Sequence, residues 1–266
     1  MLILLNTKRF IKVLIDVHCH LNLYLNPNDV IKEAKQAGVE KIIAVAMSTL
    51  SQKRVLEISK KYDSVYPALG IHPEEVKMNK HIEDELNGIE DLIMNKRSHL
   101  CAIGEIGLDH HFIKEKNLYP LQLKILKRML SIAKKLQLPV NLHTKGAESI
   151  IFETLPSYEI PNVNLHWYSG PEELLKVGID RGYYFSITPA IKYSPSVKKT
   201  VSLVDIDRLL LESDGPVKFS GIPGTPAMIK EVLYEISSLK KVSPAELKER
   251  IRYNTKNVFP VIFSST

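Results

Sequence analysis

Histidine is the residue type that organises this chain. There are nine histidines among 266 residues, and most lie close to the ends of short apolar runs. His18 and His20 close the run that begins VLIDV (13–17), His143 closes PVNLH (139–143) and His166 closes NVNLH (162–166). His72 follows VYPAL (65–69). Two carboxylates share the pattern: Glu105 ends LCAIGE (100–105), and Asp214 directly follows RLLLES (208–213). Only His81 and His99 fall clearly outside it. Neutral imidazole is the commonest transition-metal donor, and a carboxylate among imidazoles is suited to bridging two ions. The chemistry these residue types offer is the binding of divalent cations and the activation of water for hydrolysis.

Each residue also has a plainer reading. His18 and His20, at i and i+2 on a strand, point to one side about 6–7 Å apart along it. Alone, such a pair serves equally as a hydrogen-bonded core or surface pair. Glu105 alone could cap the next turn, and Asp214 alone could make an Asx-turn or a helix N-cap. His143 or His166 alone could be a satisfied core histidine. Together they favour a shared ligand, since each unpaired buried polar group costs about 1–3 kcal/mol and a metal satisfies them at once. Glu212 points the same way as Asp214 along its strand, and either supports the site from below or forms an ordinary buried ion pair. His110 and His111 are read as loop residues.

The elements that must position these groups follow from periodicity. The runs KIIAVA (41–46) and GYYFSI (182–187) bring the strand candidates to eight. Helical patterns cover 28–37, 51–61, 81–95, 118–137, 146–154, 171–178, 196–204 and 225–240. In 118–137 one apolar face carries Leu126, Met129, Leu130, Ala133 and Leu136. A final helix, 243–257, opens with Ser243, Pro244 and Glu246, the order of a capping-box start. Several strands are continuously apolar, as expected when helices cover a parallel sheet. Eight such alternations predict an α/β fold, a (β/α)8 TIM barrel forming a single domain over 13–260 after an extension at 1–12. A doubly wound open sheet is the alternative. In a barrel the histidine-bearing strand ends share one mouth, the face where active sites form. GPVKFSGIPGTP (215–226) reads as one long loop, and no GxGxxG or P-loop occurs.

Bulk properties narrow the class. Apolar residues make up 44% and charged residues 25%, ordinary for a soluble globular protein. The balance of 36 basic to 30 acidic residues gives a net charge of +6, which permits a polyanionic partner but equally fits a lysine-rich solvated surface. Cys19 and Cys101 lie in different apolar runs, which favours a reducing, cytoplasmic setting over a disulfide. The opening apolar patch of four residues after Met1 is too short for a secretory or membrane-spanning segment. Neither a membrane nor an obligate protein partner is expected.

Taken in order, DVHCHLN, GIHPEE (70–75), IGEIGLD (103–109), NLHTK (141–145), LHWYSG (165–170) and ESDGP (212–216) resemble the motifs of the TatD-related deoxyribonucleases, within the amidohydrolase superfamily. NTKNVF (254–259) is similar to that family's C-terminal helix signature. The resemblance spans nearly the whole chain after the first dozen residues. It implies a TIM barrel that hydrolyses phosphodiester bonds in DNA with two divalent metal ions, zinc, manganese or magnesium. It implies His18, His20, Glu105 and Asp214 as ligands of one ion and Glu105, His143 and His166 as ligands of the other, with Glu105 the bridge. His72 matches a histidine beside the substrate. Asp214 is then placed to orient the attacking water and accept its proton.

Lys145 and the backbone N–H groups around Ser169 and Gly170 are candidates for phosphate contact. Two positions depart from the family pattern. Lys145 stands where arginine is common, keeping the charge but losing the bidentate fork. Trp167, the only tryptophan, stands where a small residue is usual, and strand alternation would turn it away from the barrel towards the helices. Two other functional readings stay open: a same-fold hydrolase of an amide, lactone or small phosphoester, and a non-catalytic nucleic-acid-binding protein retaining a structural metal. The second would be marked by a lost ligand, and all six positions are present.

Overall fold

Eight parallel strands succeed one another around a single sheet in the order of the sequence. They are β1 (Leu14–Cys19), β2 (Val39–Val45), β3 (Val65–Leu69), β4 (Ala102–Gly107), β5 (Val140–His143), β6 (Val163–His166), β7 (Tyr184–Ile187) and β8 (Leu209–Leu211). The computed structural model describes residues 14–264, so the predicted extension at 1–12 and Val13 lie outside the described residues. Sequential order without a reversal excludes the doubly wound alternative, which needs a switch point where strand order turns back. The sheet curls into a nearly closed (β/α)8 TIM barrel with helices between the strands.

The helices follow the expected stretches: α1 (Pro27–Gln36), α2 (Thr49–Lys61), α3 (Glu75–Met78), α4 (Ile82–Asn95), α5 (Tyr119–Leu136), α6 (Glu148–Thr154), α7 (Glu172–Asp180), α8 (Pro195–Leu203), α9 (Ile229–Lys240) and α10 (Pro244–Val258). The apolar face read from 118–137 is the buried face of α5, with Leu126, Met129, Leu130, Ala133 and Leu136 all inside. Two features were not legible. The short α3 precedes α4, and the loop at 215–226 contains a small hairpin, β9 (Lys218–Phe219) against β10 (Ile222–Pro223). Ser243 does cap α10, accepting from the Glu246 N–H at 3.1 Å. The fully reciprocal capping box belongs to α2, between Ser48 and Ser51.

The first and last strands meet at a seam that passes through the mouth. There Asp214 N–H donates to His18 O (2.9 Å) and His20 N–H to Gly215 O (2.8 Å). Asp16 ties the same joint from inside: Oδ1 accepts from Ser213 N–H (3.0 Å) and His18 N–H (3.2 Å), and Oδ2 from the Ser213 hydroxyl (2.5 Å). On the far side of the barrel, β4 and β5 approach closely at Gly107. Its φ is +153°, and a Cβ there would sit 2.0 Å from His143 O. Only glycine lets this strand run past the histidine strand so tightly.

Candidate metal-binding active site

Glu105 is the centre of the mouth. It lies within β4 rather than at its end, and its two oxygens face different groups. Oε2 is 3.3 Å from His18 Nε2 and 3.4 Å from His20 Nε2. Asp214 Oδ1 completes that group at 3.5 and 3.4 Å from the same nitrogens, which are 3.3 Å from each other. Oε1 faces His143 Nδ1 at 2.9 Å, and His72 Nε2 and His166 Nε2 each at 3.5 Å. All seven side chains are buried.

These separations suit metal ions. Donors bound tetrahedrally at about 2.0–2.1 Å lie about 3.3–3.4 Å from one another. Among the described residues, three groups have donor atoms that converge within 4.8 Å: His18–His20–Asp214, His18–Glu105–His166 and His72–Glu105–His143. His166 thus converges with His18 on Glu105, and His143 with His72; the expected Glu105–His143–His166 set is not among these groups, although both histidines face Glu105 Oε1.

What lies behind each ring fixes which nitrogen faces inward. His143 Nε2–H donates to Asp109 Oδ2 (2.8 Å), His166 Nδ1–H to Glu212 Oε1 (3.0 Å) and His18 Nδ1–H to Asn141 Oδ1 (3.0 Å). These oxygens only accept, so in the neutral ring, the form a ligand needs, it is the inward nitrogen that carries the lone pair. Asp109 is itself pinned by the N–H groups of His111 and Phe112. Beneath the mouth, Asn164 links Asn141 to Ser186, and the Ser186 hydroxyl donates to Glu212 Oε2 at 2.5 Å. Substituting Asp109→Asn or Glu212→Gln is expected to weaken metal affinity about 10–100-fold with little change in fold, read by calorimetric titration of metal into the apoprotein.

The electrostatics favour added positive charge. Burial disfavours a charged His18, yet Glu105, followed by Asp214 and Glu212, raises it to about 10. His143 behaves alike: burial pulls it down, and Asp109 and Glu105 lift it to about 9. Burial would raise Glu105, but His72 and His18 hold it well below the carboxylate range. His166, buried and beside His18, stays far below the usual imidazole range and so neutral. Burial pushes Glu212 up to about 7 and Asp16 likewise to about 7. The donor set fits divalent cations, which would satisfy every inward lone pair of the mouth together.

Above the donors opens a cavity of about 630 Å³, lined in part by His72, Lys145, Trp167 and Ser169. Lys145 Nζ donates to Ser169 Oγ (2.7 Å) and Trp167 O (3.0 Å), and lies 4.8 Å from the indole centroid. Burial draws Lys145 below the usual lysine range. Gly170 does not line this cavity; it lies against Glu148, whose side chain a Cβ would meet at 2.7 Å. The expectation for Trp167 is corrected. β6 ends at His166, and Trp167 has φ +40°, so strand alternation no longer applies and the indole turns into the mouth, 5.3 Å from Phe219. Of the two loop histidines, His111 lines the cavity while His110 stacks on Tyr119.

The residues missed from sequence share a signal. Asp16, Asn141 and Asn164 each precede a site histidine by two positions on the same strand, the spacing that puts both on one face. Asp109 closes the IGEIGLD motif without any such mark.

Comparison with known proteins agrees with this architecture. Residues 15–260 match the TatD related DNase family. An uncharacterized metal-dependent hydrolase of Methanocaldococcus jannaschii is 35% identical over 252 residues, covering 92% of this chain and 96% of the relative. Deoxyribonuclease TATDN3 of Homo sapiens is 30% identical over 260 residues, covering 93% and 94%. The crystal structure of YjjV, a TatD homologue from Escherichia coli, superposes with a TM-score of 0.85 at 27% identity, covering 93% of this chain and 98% of that one. A nearly closed (β/α)8 barrel, a mouth of buried imidazoles and carboxylates able to bind metal, and a family match over most of the chain converge: this protein belongs to the TatD-related DNase family of metal-dependent hydrolases.

Proposed function

We propose that the protein is a deoxyribonuclease that cleaves DNA phosphodiester bonds with two divalent ions, zinc, manganese or magnesium. One ion is held by His18, His20, Glu105 and Asp214, the other by Glu105, His143 and His166. The observation that carries this reading is Glu105, which turns one oxygen to each of two imidazole groups. The name deoxyribonuclease borne by the human relative and the net charge of +6 support DNA as the substrate. No described helix is long and apolar enough to cross a membrane. Both cysteines are free and buried, in keeping with a cytoplasmic protein whose barrel forms one domain over 13–260.

When bound, such ions supply water of lowered pKa and neutralise charge on phosphoryl oxygens. The chain's own residues do the rest. Asp214 orients the attacking water and accepts its proton. Lys145 spends two N–H groups on Ser169 and the Trp167 carbonyl, leaving one to reach a single phosphoryl oxygen as a point charge. The backbone N–H of Ser169, which lines the mouth, assists, whereas Gly170 lies outside it.

The test uses end-labelled single- and double-stranded DNA beside a panel of amide, lactone and small phosphoester substrates. Cleavage of DNA with added divalent metal, abolished by chelator and restored by metal, is the expected result. Persistent cleavage by metal-free protein would sink the mechanism. Turnover confined to the small substrates, or DNA retained uncut across several metals, would replace the reading.

A further inference from the structure

We propose that Trp167 is a positioning residue for Lys145, holding its ammonium in one place so that a single N–H meets the substrate's phosphoryl oxygen; the role rests on the phosphodiesterase reading above. The two positions at which this chain departs from the family pattern touch each other. Lys145 Nζ lies 4.8 Å from the indole centroid and donates to the Trp167 carbonyl at 3.0 Å. The plainer reading, that the tryptophan only fills space, does not account for this contact. Trp167 is half-buried, turned into the mouth at a φ of +40°, and lines the same cavity as the lysine.

Lysine needs such support more than arginine does. Its ammonium rides on a flexible four-carbon stem, whereas an arginine fork is planar and preorganised. Fixing that stem before the substrate arrives removes an ordering cost from binding. Three groups do so here: the Ser169 hydroxyl at 2.7 Å, the Trp167 carbonyl and the indole face. An ammonium over an indole gains most where it is desolvated, and Lys145 is only partly exposed. Trp167 is in turn held from two directions. Its N–H donates to Glu212 Oε1 at 2.9 Å, which anchors the backbone just before the carbonyl that receives the lysine. Its ring packs on the buried Phe219, with centroids 5.3 Å apart.

Phe219 belongs to the β9–β10 hairpin, and its place under the indole gives that hairpin a task. The hairpin is braced tightly from behind. A Cβ at Gly224 would meet the Phe219 ring at 2.8 Å, and Gly224 O accepts from the Tyr24 hydroxyl at 2.5 Å. Contacts therefore run from Tyr24 through Gly224 and Phe219 to Trp167 and Lys145. The loop after β8 supplies Asp214 at its start and, further on, the backing of the lysine. The carbonyl bond survives any side chain at position 167, so the ring is the part whose contribution substitution can remove.

The test is a double-mutant cycle of Trp167→Leu and Lys145→Met, measured on oligonucleotide cleavage at saturating metal. Leucine keeps apolar bulk and the carbonyl bond but removes the aromatic face. With Lys145 present, Trp167→Leu is expected to lower kcat/KM by about 3- to 30-fold. In the Lys145→Met background the same change should have almost no effect, because the ring then has no ammonium to place. Trp167→Phe, which restores a face, should recover part of the loss. Phe219→Leu should give a smaller loss that also vanishes in the Lys145→Met background. Trp167 is the only tryptophan in the chain, so its fluorescence reads the contact without any turnover. In metal-free protein Lys145→Met should displace the emission maximum, whereas Lys127→Met, on the exposed face of α5, should not. An equal loss from Trp167→Leu in both backgrounds, or unchanged emission in Lys145→Met, overturns the proposal while leaving the deoxyribonuclease reading intact. If the unaltered protein fails to cut DNA, that reading fails, and the emission still decides whether the ring holds the lysine.

Discussion

Changing Glu105 to alanine is expected to reduce DNA cleavage by at least about 10³-fold while the barrel stays folded. Each tenfold in rate corresponds to about 1.4 kcal/mol, and ions acting as Lewis acids supply several kcal/mol of transition-state stabilisation. Glu105 is the one side chain facing both donor groups, with Oε2 on His18 and His20 and Oε1 on His72, His143 and His166. Its removal therefore takes a donor from both ions at once, whereas loss of any single histidine takes a donor from one. The fold tolerates the change because the surrounding core is built from the apolar residues of the strands and helices. Stripping one partner from a buried charged cluster still costs about 3–5 kcal/mol, so thermal unfolding should shift downward yet stay cooperative. Metal analysis, circular dichroism and oligonucleotide cleavage on the same preparation check this. Unchanged cleavage with both metals retained would remove Glu105 from its place as the bridge.

The second large effect is expected from Asp214→Asn, with kcat down about 10²–10⁴-fold, the range for loss of a positioned general base. Asn is the informative substitution because Asp214 has φ +47°, a conformation that Asn and Asp adopt more readily than other side chains. Alanine would confound chemistry with backbone strain. The backbone bond from Asp214 N–H to His18 O survives the change, so the seam stays closed. His18, His20 and Glu105 still converge, so the first ion is weakened rather than lost. Turnover at saturating metal separates the missing proton acceptor from the weakened binding. Recovery of full kcat at high metal would assign Asp214 to metal binding alone.

Much of this was legible because two periodicities coincide in the chain. β-rich runs, several of them continuously apolar, marked all eight barrel strands, and the polar residues near their ends marked the mouth. Glu212, two residues before Asp214, was legible either as support from below or as an ordinary buried ion pair, and it accepts from His166. The same spacing was equally present at Asp16, Asn141 and Asn164. An isolated polar residue inside an apolar strand reads ambiguously until its hydrogen-bond partner on a neighbouring strand is known. Trp167 was misdirected because alternation was extended one residue past the end of β6, where a positive φ reverses its effect. The hairpin in 215–226 escaped because strands of two residues leave no period to detect.

The seam gives the mouth a mechanical role. His18 and His20 come from the first strand's end of the barrel and Asp214 from the last, and the joint beneath them pairs Asp16 with Ser213 across 197 residues of chain. A cation held by those three donors would act as a clasp on a loop of about three quarters of the chain, and closing a loop of that length restricts the unfolded chain as a covalent crosslink does. Occupancy and durability are thereby linked. Without the cation the backbone and Asp16–Ser213 bonds still hold the joint, so the empty protein is expected to stay folded but to be cut by proteases at the edges of β1 and β8 faster than the loaded one.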